Sequence, residues 1–444
     1  MRIEEDTLGK VTLDDDVLYG INTYRALHNF SLDYKKTSLE LIHALAKVKK
    51  AAAITYAHLK VREPGIYEAI EEACDTVIRG DVDNQFTLDS LQGGAGTSTN
   101  MCVNEVIANL ALHNLGHASG EYHLIHPLDD VNRGQSTNDV YPTALRIAAI
   151  EQLRILSENC AKLQEALQAK ENEFEDIDKL GRTELMDAVQ ISLGEEFGSY
   201  AQAISRDRWR LYKIEERLRQ VNLGGTAVGL GNNASRKYRF EVMEHIRDIT
   251  SIGLSSAEYP MDVTQNNDVF VEVSGLLKAL AVNLSKIAGD LRLMNSGPYG
   301  GLGEIKLQAM QQGSTIMPGK VNPVIPEMVI QCAIQVMAND SAISSAASRG
   351  EFELNAFFPL IADSLLESLK LLIHATQLFR TKAIECLTAQ KEVCQKHIDD
   401  SYAFATSYTV KLGYTLVSKI VKEHEPKEAK KILDTLLLQQ NTQK

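Results

Sequence analysis

Between Gly313 and Pro323 the chain reads Gly313-Ser314-Thr315-Ile316-Met317-Pro318-Gly319-Lys320-Val321-Asn322-Pro323. A hydroxyl, an ammonium and a carboxamide are gathered in one short stretch that two glycines and two prolines keep out of regular helix or strand. A second Gly-rich stretch, Gly297-Pro298-Tyr299-Gly300-Gly301-Leu302-Gly303, lies just upstream. A loop presenting Ser, Lys and Asn together is a binding or catalytic element. Lys supplies fixed charge for an anion, Asn hydrogen-bonds it, and Ser can move a proton if its anion is stabilised. A phosphate loop fits less well. The spacing from Gly313 to Gly319-Lys320 has one residue too many, and Val321 stands where the motif needs Ser or Thr.

Four further segments carry similar groups: Gly93-Gly94-Ala95-Gly96-Thr97-Ser98-Thr99-Asn100, Gln135-Ser136-Thr137-Asn138-Asp139, Gly181-Arg182-Thr183-Glu184-Leu185 and Glu353-Leu354-Asn355. Taken singly, each is an ordinary helix cap or Asx turn. Taken together, in this order, they resemble the conserved segments of the aspartase/fumarase superfamily, and the 313–323 loop resembles that family's GSSxMPxKxN signature. The superfamily's members add or remove ammonia, water or a larger amine across the double bond of fumarate. The resemblance covers roughly residues 1 to 400 and is looser beyond.

The resemblance implies roles. Ser314 is the base, acting as an alkoxide that loop N–H groups and Lys320 can stabilise, and Lys320 and Asn322 grip the carboxylate remote from the abstracted proton, with Thr315 beside them. Thr97, Ser136, Thr137 and Asn138 surround the substrate, with Thr183 and Glu184 alongside and Glu327 behind. Short neutral donors of this kind suit a small dicarboxylate held away from water. Abstracting the proton beside a carboxylate leaves two negative charges on that group, so the barrier is electrostatic. Preorganised donors aimed at such charge are each worth roughly 3–4 kcal/mol. The Gly content of the 313–323 loop permits opening and closing around the substrate.

Position 184 departs from the family. Fumarases carry His after the Gly-Arg-Thr, aspartases Gln or His; this chain has Glu184. In the fumarase-like arrangement that residue pairs with the glutamate of the Lys-x-Asn loop, here Glu327, so two carboxylates are expected to lie together. Such a pair shares a proton or meets a cation. A substrate ammonium is a cation and water is not, which favours an amine as leaving group. Val324-Ile325-Pro326-Glu327 and Thr264-Gln265-Asn266 also resemble the aspartase branch. Against a standard aspartase stand Gln190, Arg133-Gly134, Tyr299, Thr409-Val410 ahead of Gly413-Tyr414, and an early end to the C-terminal domain. Deamination of L-aspartate is the leading expectation. Hydration of fumarate, a modified or N-substituted aspartate, and a non-catalytic scaffold homologue are the alternatives.

Elements able to position these residues are visible as heptad-like stripes. Leu145, Ala149, Leu153, Leu156, Cys160, Leu163 and Leu167 recur at steps of four and three. Phe197, Tyr200, Ile204, Leu211, Ile214, Leu218 and Val221 nearly repeat the pattern, and Val273, Leu277, Leu280, Leu284, Ile287 and Leu291 step 4-3-4-3-4. They predict long amphipathic helices in a mainly α fold. Leu276, Ala281 and Val282 lie off the third stripe, which implies burial on more than one side. The resemblance implies the same: a three-domain chain whose long-helix bundle joins a homotetrameric core, each active site being lined by three chains. The expected boundaries are 1–133 (N-terminal domain), 134–388 (central helical bundle) and 389–444 (small C-terminal domain). Gly229-Leu230-Gly231-Asn232-Asn233-Ala234 matches a dinucleotide fingerprint only as text, because no apolar strand precedes it.

The whole chain narrows the function classes. Its 46 basic and 59 acidic residues give a net charge of −13, which disfavours nucleic-acid binding. The charged opening Met1-Arg2-Ile3-Glu4-Glu5-Asp6 has no apolar leader pattern, and no apolar run approaches a membrane span of roughly 18 residues. Six scattered cysteines without C-x-x-C spacing fit free thiols in a cytoplasmic protein. No cofactor and no metal are expected, since no cluster has metal-ligand spacing. The expected partners are a small dicarboxylate (L-aspartate or fumarate), ammonia and further copies of this chain, with neither nucleic acid nor membrane.

Overall fold

The computed structural model describes residues 1–442, and they are mainly α-helical. The three predicted stripes are the buried faces of long helices, Thr137–Glu173, Leu193–Leu218 and Asp268–Met294. Every residue of the three stripes is buried, from Leu145 to Leu291. Burying one such leucine stabilises the fold by roughly 1.5–3 kcal/mol, so these seams are a main source of stability. Val221 is an exception in element type. The second helix ends at Leu218, and Val221 lies in a two-residue strand, Gln220–Val221, parallel to Ser255–Ser256. The turn through Gly224 and Gly225 follows directly, and Gly224 has φ +83°, which helix cannot accommodate. Off the third stripe Ala281 is buried, but Val282 stays 48% exposed.

Two further long helices, Val324–Ala347 and Phe358–Phe379, complete the bundle elements. By its internal contacts the chain divides into two compact units. The first comprises Met1–Ser157, Arg210–Ala279 and Gln335–Ile373, and the second Glu158–Trp209, Leu280–Ile334 and the chain from His374 onward.

In the first unit, the Leu39–His58 helix packs against Ile66–Ile78 and Arg236–Thr250. Tyr56 stacks on Tyr238 at 4.7 Å between ring centres and on Tyr67 at 5.7 Å. The N-terminal hairpin pairs Arg2–Asp6 with Gly9–Leu13. The helix Ile21–Asn29 that follows has no local cap; buried Glu105 replaces it, accepting hydrogen bonds from the Gly20, Asn22 and Thr23 amides.

In the second unit, an antiparallel hairpin pairs Asp178–Thr183 with Met186–Ser192. Its base is fixed by an ion cluster around Glu304, which is wholly buried. Arg182 donates to Glu304 Oε1 at 2.7 Å, Lys179 lies 3.1 Å from Oε2, and His397 lies 3.0 Å from Oε1. Burial would raise the Glu304 pKa, but Lys179, Arg182 and His397 outweigh it and hold it below the usual carboxylate range. The folded pKa is thus lower than the unfolded one. The resulting stability is present above the ordinary glutamate value and is lost as pH falls through the folded pKa. Glu304→Gln should therefore cost about 3 kcal/mol at neutral pH, since it strands buried cations. Acid unfolding curves check this: the deficit of the variant should shrink as pH falls below about 4. The last helices, Ala405–Leu412, Tyr414–Glu423 and Pro426–Thr442, gather around Val417, Ile420, Ala429 and Leu433.

Candidate active site

Four of the expected residues meet in the first unit. Thr97, Ser136, Thr137 and Asn138 line one cleft of about 880 Å³, together with Arg62, Asn100, Asn132, Arg133, Thr226 and Ala227. Helix starts put them there. Thr97 opens the Thr97–Asn114 helix and Thr137 opens Thr137–Glu173. Each helix start brings a positive dipole end to the cleft, which suits an anion. The turn before Thr97 requires glycine. Gly96 has φ +91°, and a Cβ there would lie 2.4 Å from the Tyr141 ring.

Beneath this cleft lies a polar layer that the motifs alone did not reveal. Lys49 is wholly buried and donates to Asn132 Oδ1 at 2.8 Å and Gln135 Oε1 at 2.9 Å. Asn132 Oδ1 also accepts from Asn100 Nδ2 and Asn104 Nδ2, each at 3.2 Å. Asn100 Nδ2 donates to Thr137 Oγ1 at 3.1 Å. Asp139, in the quoted segment but assigned no role, is also wholly buried and accepts three backbone N–H bonds. A signal for Lys49 was available. In Leu41-Ile42-His43-Ala44-Leu45-Ala46-Lys47-Val48-Lys49 it falls one helical turn after Leu45, on the apolar face.

The Ser314 loop belongs to the second unit, where residues 309–312 and 314–321 line a separate cleft of about 600 Å³. Its neck is closed by two bonds. Gly313 N donates to Lys320 O at 2.9 Å, and Asn322 Nδ2 donates to Gly313 O at 2.7 Å. A Cβ on Gly313 would lie 2.4 Å from Lys320 O, so only glycine fits the neck. Ser314 Oγ accepts the backbone N–H of Met317 at 2.9 Å and of Ile316 at 3.2 Å. Two amides aimed at one hydroxyl oxygen stabilise negative charge on it. The Lys320 side chain is exposed and makes no hydrogen bond or ion pair among the described residues, and Thr315 is exposed beside it. One Asn322 N–H closes the neck; its other N–H and its oxygen are left for a ligand.

Thr183 and Glu184 sit at the exposed end of the 178–192 hairpin. Glu184 and Leu185 form its two-residue turn with φ +55° and +65°. Turns of that shape favour Asn and Gly. Holding Glu and Leu there costs of order 1 kcal/mol each, a strain that is found at functional positions. Glu184 has no hydrogen bond or ion pair among the described residues, whereas Glu327 lies 3.8 Å from Arg292. The two carboxylates expected together are therefore not paired within one chain. One occupies a hairpin tip and the other the first turn of the Val324–Ala347 helix. Tyr299, in the place of the family's Arg, is fully exposed.

The Gly229–Ala234 stretch is a turn-rich loop with positive φ at Gly229, Gly231 and Asn233, in no βαβ unit. Among the described residues no grouping of three or more His, Cys, Asp or Glu could hold a metal, and no helix is long and apolar enough to cross a membrane. All six cysteines are free.

Comparison with known proteins decides the lineage. Residues 9–338 match the model of a family described as lyase. An aspartate ammonia-lyase of Helicobacter pylori strain J99 is 44% identical over 425 residues, covering 95% of this chain and 91% of that one. The chain belongs to the aspartase/fumarase superfamily. Other superfamily members agree. An aspartate ammonia-lyase of Pseudomonas aeruginosa is 45% identical, covering 95% of this chain and 90% of that one. Among solved structures, a fumarate lyase:delta crystallin from Brucella melitensis superposes with a TM-score of 0.91 at 42% identity, over 96% of this chain and 99% of that one. A class II fumarase from Schistosoma mansoni gives 0.93 at 33% identity, over 98% and 95%. The superfamily fold is thus present across nearly the whole chain.

Proposed function

We propose that this protein is an aspartate ammonia-lyase, a carbon–nitrogen lyase that interconverts L-aspartate with fumarate and ammonia. The observation that carries the reading is the extended identity with aspartate ammonia-lyases, which exceeds that with the class II fumarase. The proposed chemistry follows from the groups in place. Ser314, its oxygen held by the Ile316 and Met317 amides, takes the proton next to one carboxylate as an alkoxide. Lys320 and Asn322, with Thr315 beside them, grip the substrate's other carboxylate. Thr97, Ser136, Thr137, Asn138 and Thr183 fix the rest of the substrate. Glu184 meets the substrate ammonium, and Glu327 supports the loop from behind.

The candidate residues fall on three exposed pieces: a cleft, a hairpin tip and a loop. Their completion by other copies of the chain, in a homotetramer, is part of this proposal. The exposed Trp209, Tyr212, Val282 and Ile334 on the long helices support it, as apolar surface that association would cover. The three-part division at residues 133 and 388 and a cytoplasmic setting, in keeping with the free thiols, belong to the same reading.

Supplying L-aspartate and following fumarate absorbance with ammonium release tests the reaction: the two products should appear one for one. Glu184→Gln tests the ammonium contact. It should raise KM for L-aspartate by about tenfold, less than the loss of a whole charge pair because the glutamine oxygen still accepts a hydrogen bond from the ammonium. Unchanged KM and unchanged ammonia release would remove Glu184 from the mechanism.

A further inference from the structure

We propose that Asp139 is a positioning residue for dicarboxylate binding, which ties the Ser136–Asn138 rim of the first-unit cleft to its Gly224–Ala227 rim. The inference rests on the reading of that cleft as the dicarboxylate site. Asp139 Oδ1 accepts the Ser136 N–H at 2.9 Å, while Oδ2 accepts those of Gly224 and Thr226 at 3.0 Å each. One buried carboxylate therefore joins two loops more than eighty residues apart in sequence, and both line the cleft. Parallel ties run alongside. Asn138 Nδ2 donates to Ala227 O at 2.8 Å, and Asn222 Nδ2 donates to Asn138 O at 3.0 Å. These bonds hold the Asn138 side chain against the far rim, so the spacing of the two rims sets where it can meet a ligand.

The charge of Asp139 matters to this geometry, because only a carboxylate accepts on both oxygens. Burial pushes its pKa up to about 6, opposed by its backbone donors and by the charge of Lys49. Lys49 has no carboxylate within hydrogen-bonding distance and is committed to Asn132 and Gln135. The two buried charges thus favour one another's ionised form while they anchor adjacent stretches of one wall: Lys49 the 132–135 turn, Asp139 the 136–138 turn. Asn at position 139 would keep the shape and lose one acceptor. Its oxygen would serve Gly224 and Thr226, and its amide would face the Ser136 N–H, donor against donor, which releases the rim that carries Ser136 and Asn138.

The test uses the full-length protein as purified. Asp139→Asn should raise KM for L-aspartate by about tenfold or more while kcat stays within about threefold, because binding geometry is altered and the proton-transfer loop is not. Thermal melting should in parallel show that fumarate stabilises the wild type and stabilises the variant much less. A folded variant with wild-type KM would overturn the inference. A lower kcat at unchanged KM would overturn it too, since dicarboxylate binding would then be intact. If Asp139→Asn does not fold, Asn222→Ser, which removes the parallel tie to Asn138 together with a bond to Thr264 Oγ1, should raise KM by about threefold, and unchanged KM would again overturn the inference. Wild-type protein that turns over no aspartate, yet is stabilised by fumarate in a way that Asp139→Asn abolishes, would sink the assigned reaction and leave the rim tie standing. No stabilisation of the wild type by fumarate would sink both.

Discussion

Ser314→Ala should lower kcat by about 10³-fold or more, the range in which removal of an essential base or oxyanion-type contact falls. The expectation comes from what surrounds the hydroxyl. Its contacts are the Met317 and Ile316 amides, with no histidine or carboxylate among them. An oxygen so held is poor as a neutral base and well placed as an anion, because both donors strengthen their bonds as charge appears. Removing it costs the fold little. The loop is held at its neck by Gly313, Lys320 and Asn322, and the freed amides turn to water. Steady-state kinetics with a thermal melt separate the two effects. A folded alanine variant that keeps kcat within tenfold of wild type would show that Ser314 only hydrogen-bonds the substrate.

Lys320→Met should lower kcat/KM by about 10²- to 10³-fold, since one partner of a charge pair in a closed site is worth 2–5 kcal/mol. Among the described residues Lys320 has no carboxylate partner, so its charge is available to a dicarboxylate. The same fact predicts a melting temperature within about a degree of wild type, as is usual for surface substitutions. Lys320→Arg should recover only part of the loss, because a planar fork replaces a point charge in a loop built tightly around Gly313. A melting temperature that fell sharply with catalysis intact would place Lys320 in the scaffold instead.

The legible parts of the sequence were those with a strong local signal. Steps of four and three along Leu145–Leu167 and Val273–Leu291 predict helices, and all these residues are buried. Glycines and prolines around Ser314 predict a loop, and the loop is present. Val221 was misread because its stripe continues past Leu218, while Gly224 and Gly225 stop the helix sooner than periodicity alone indicates. Lys49 lies on an apolar helix face, but its role is not legible there, for a different reason. In Lys47-Val48-Lys49-Lys50 three lysines read as a solvated face, yet only Lys49 is wholly buried, where Asn132 and Gln135, distant in sequence, satisfy it. Long-range partners of that kind leave no trace in spacing. Asp139 was visible as a motif letter, but its ties to Gly224 and Thr226 depend on a loop that nothing in the motif specifies. The Glu184–Glu327 pairing was inferred by analogy, and within one chain Glu327 instead faces Arg292.

The most direct test of the account is to mix the protein with fumarate and follow the loss of its ultraviolet absorbance with ammonia present and with ammonia absent. Loss only with ammonia, giving L-aspartate, is the predicted result. Equal loss without ammonia would mean that water is the nucleophile, and would contradict both the assigned reaction and the role given to Glu184.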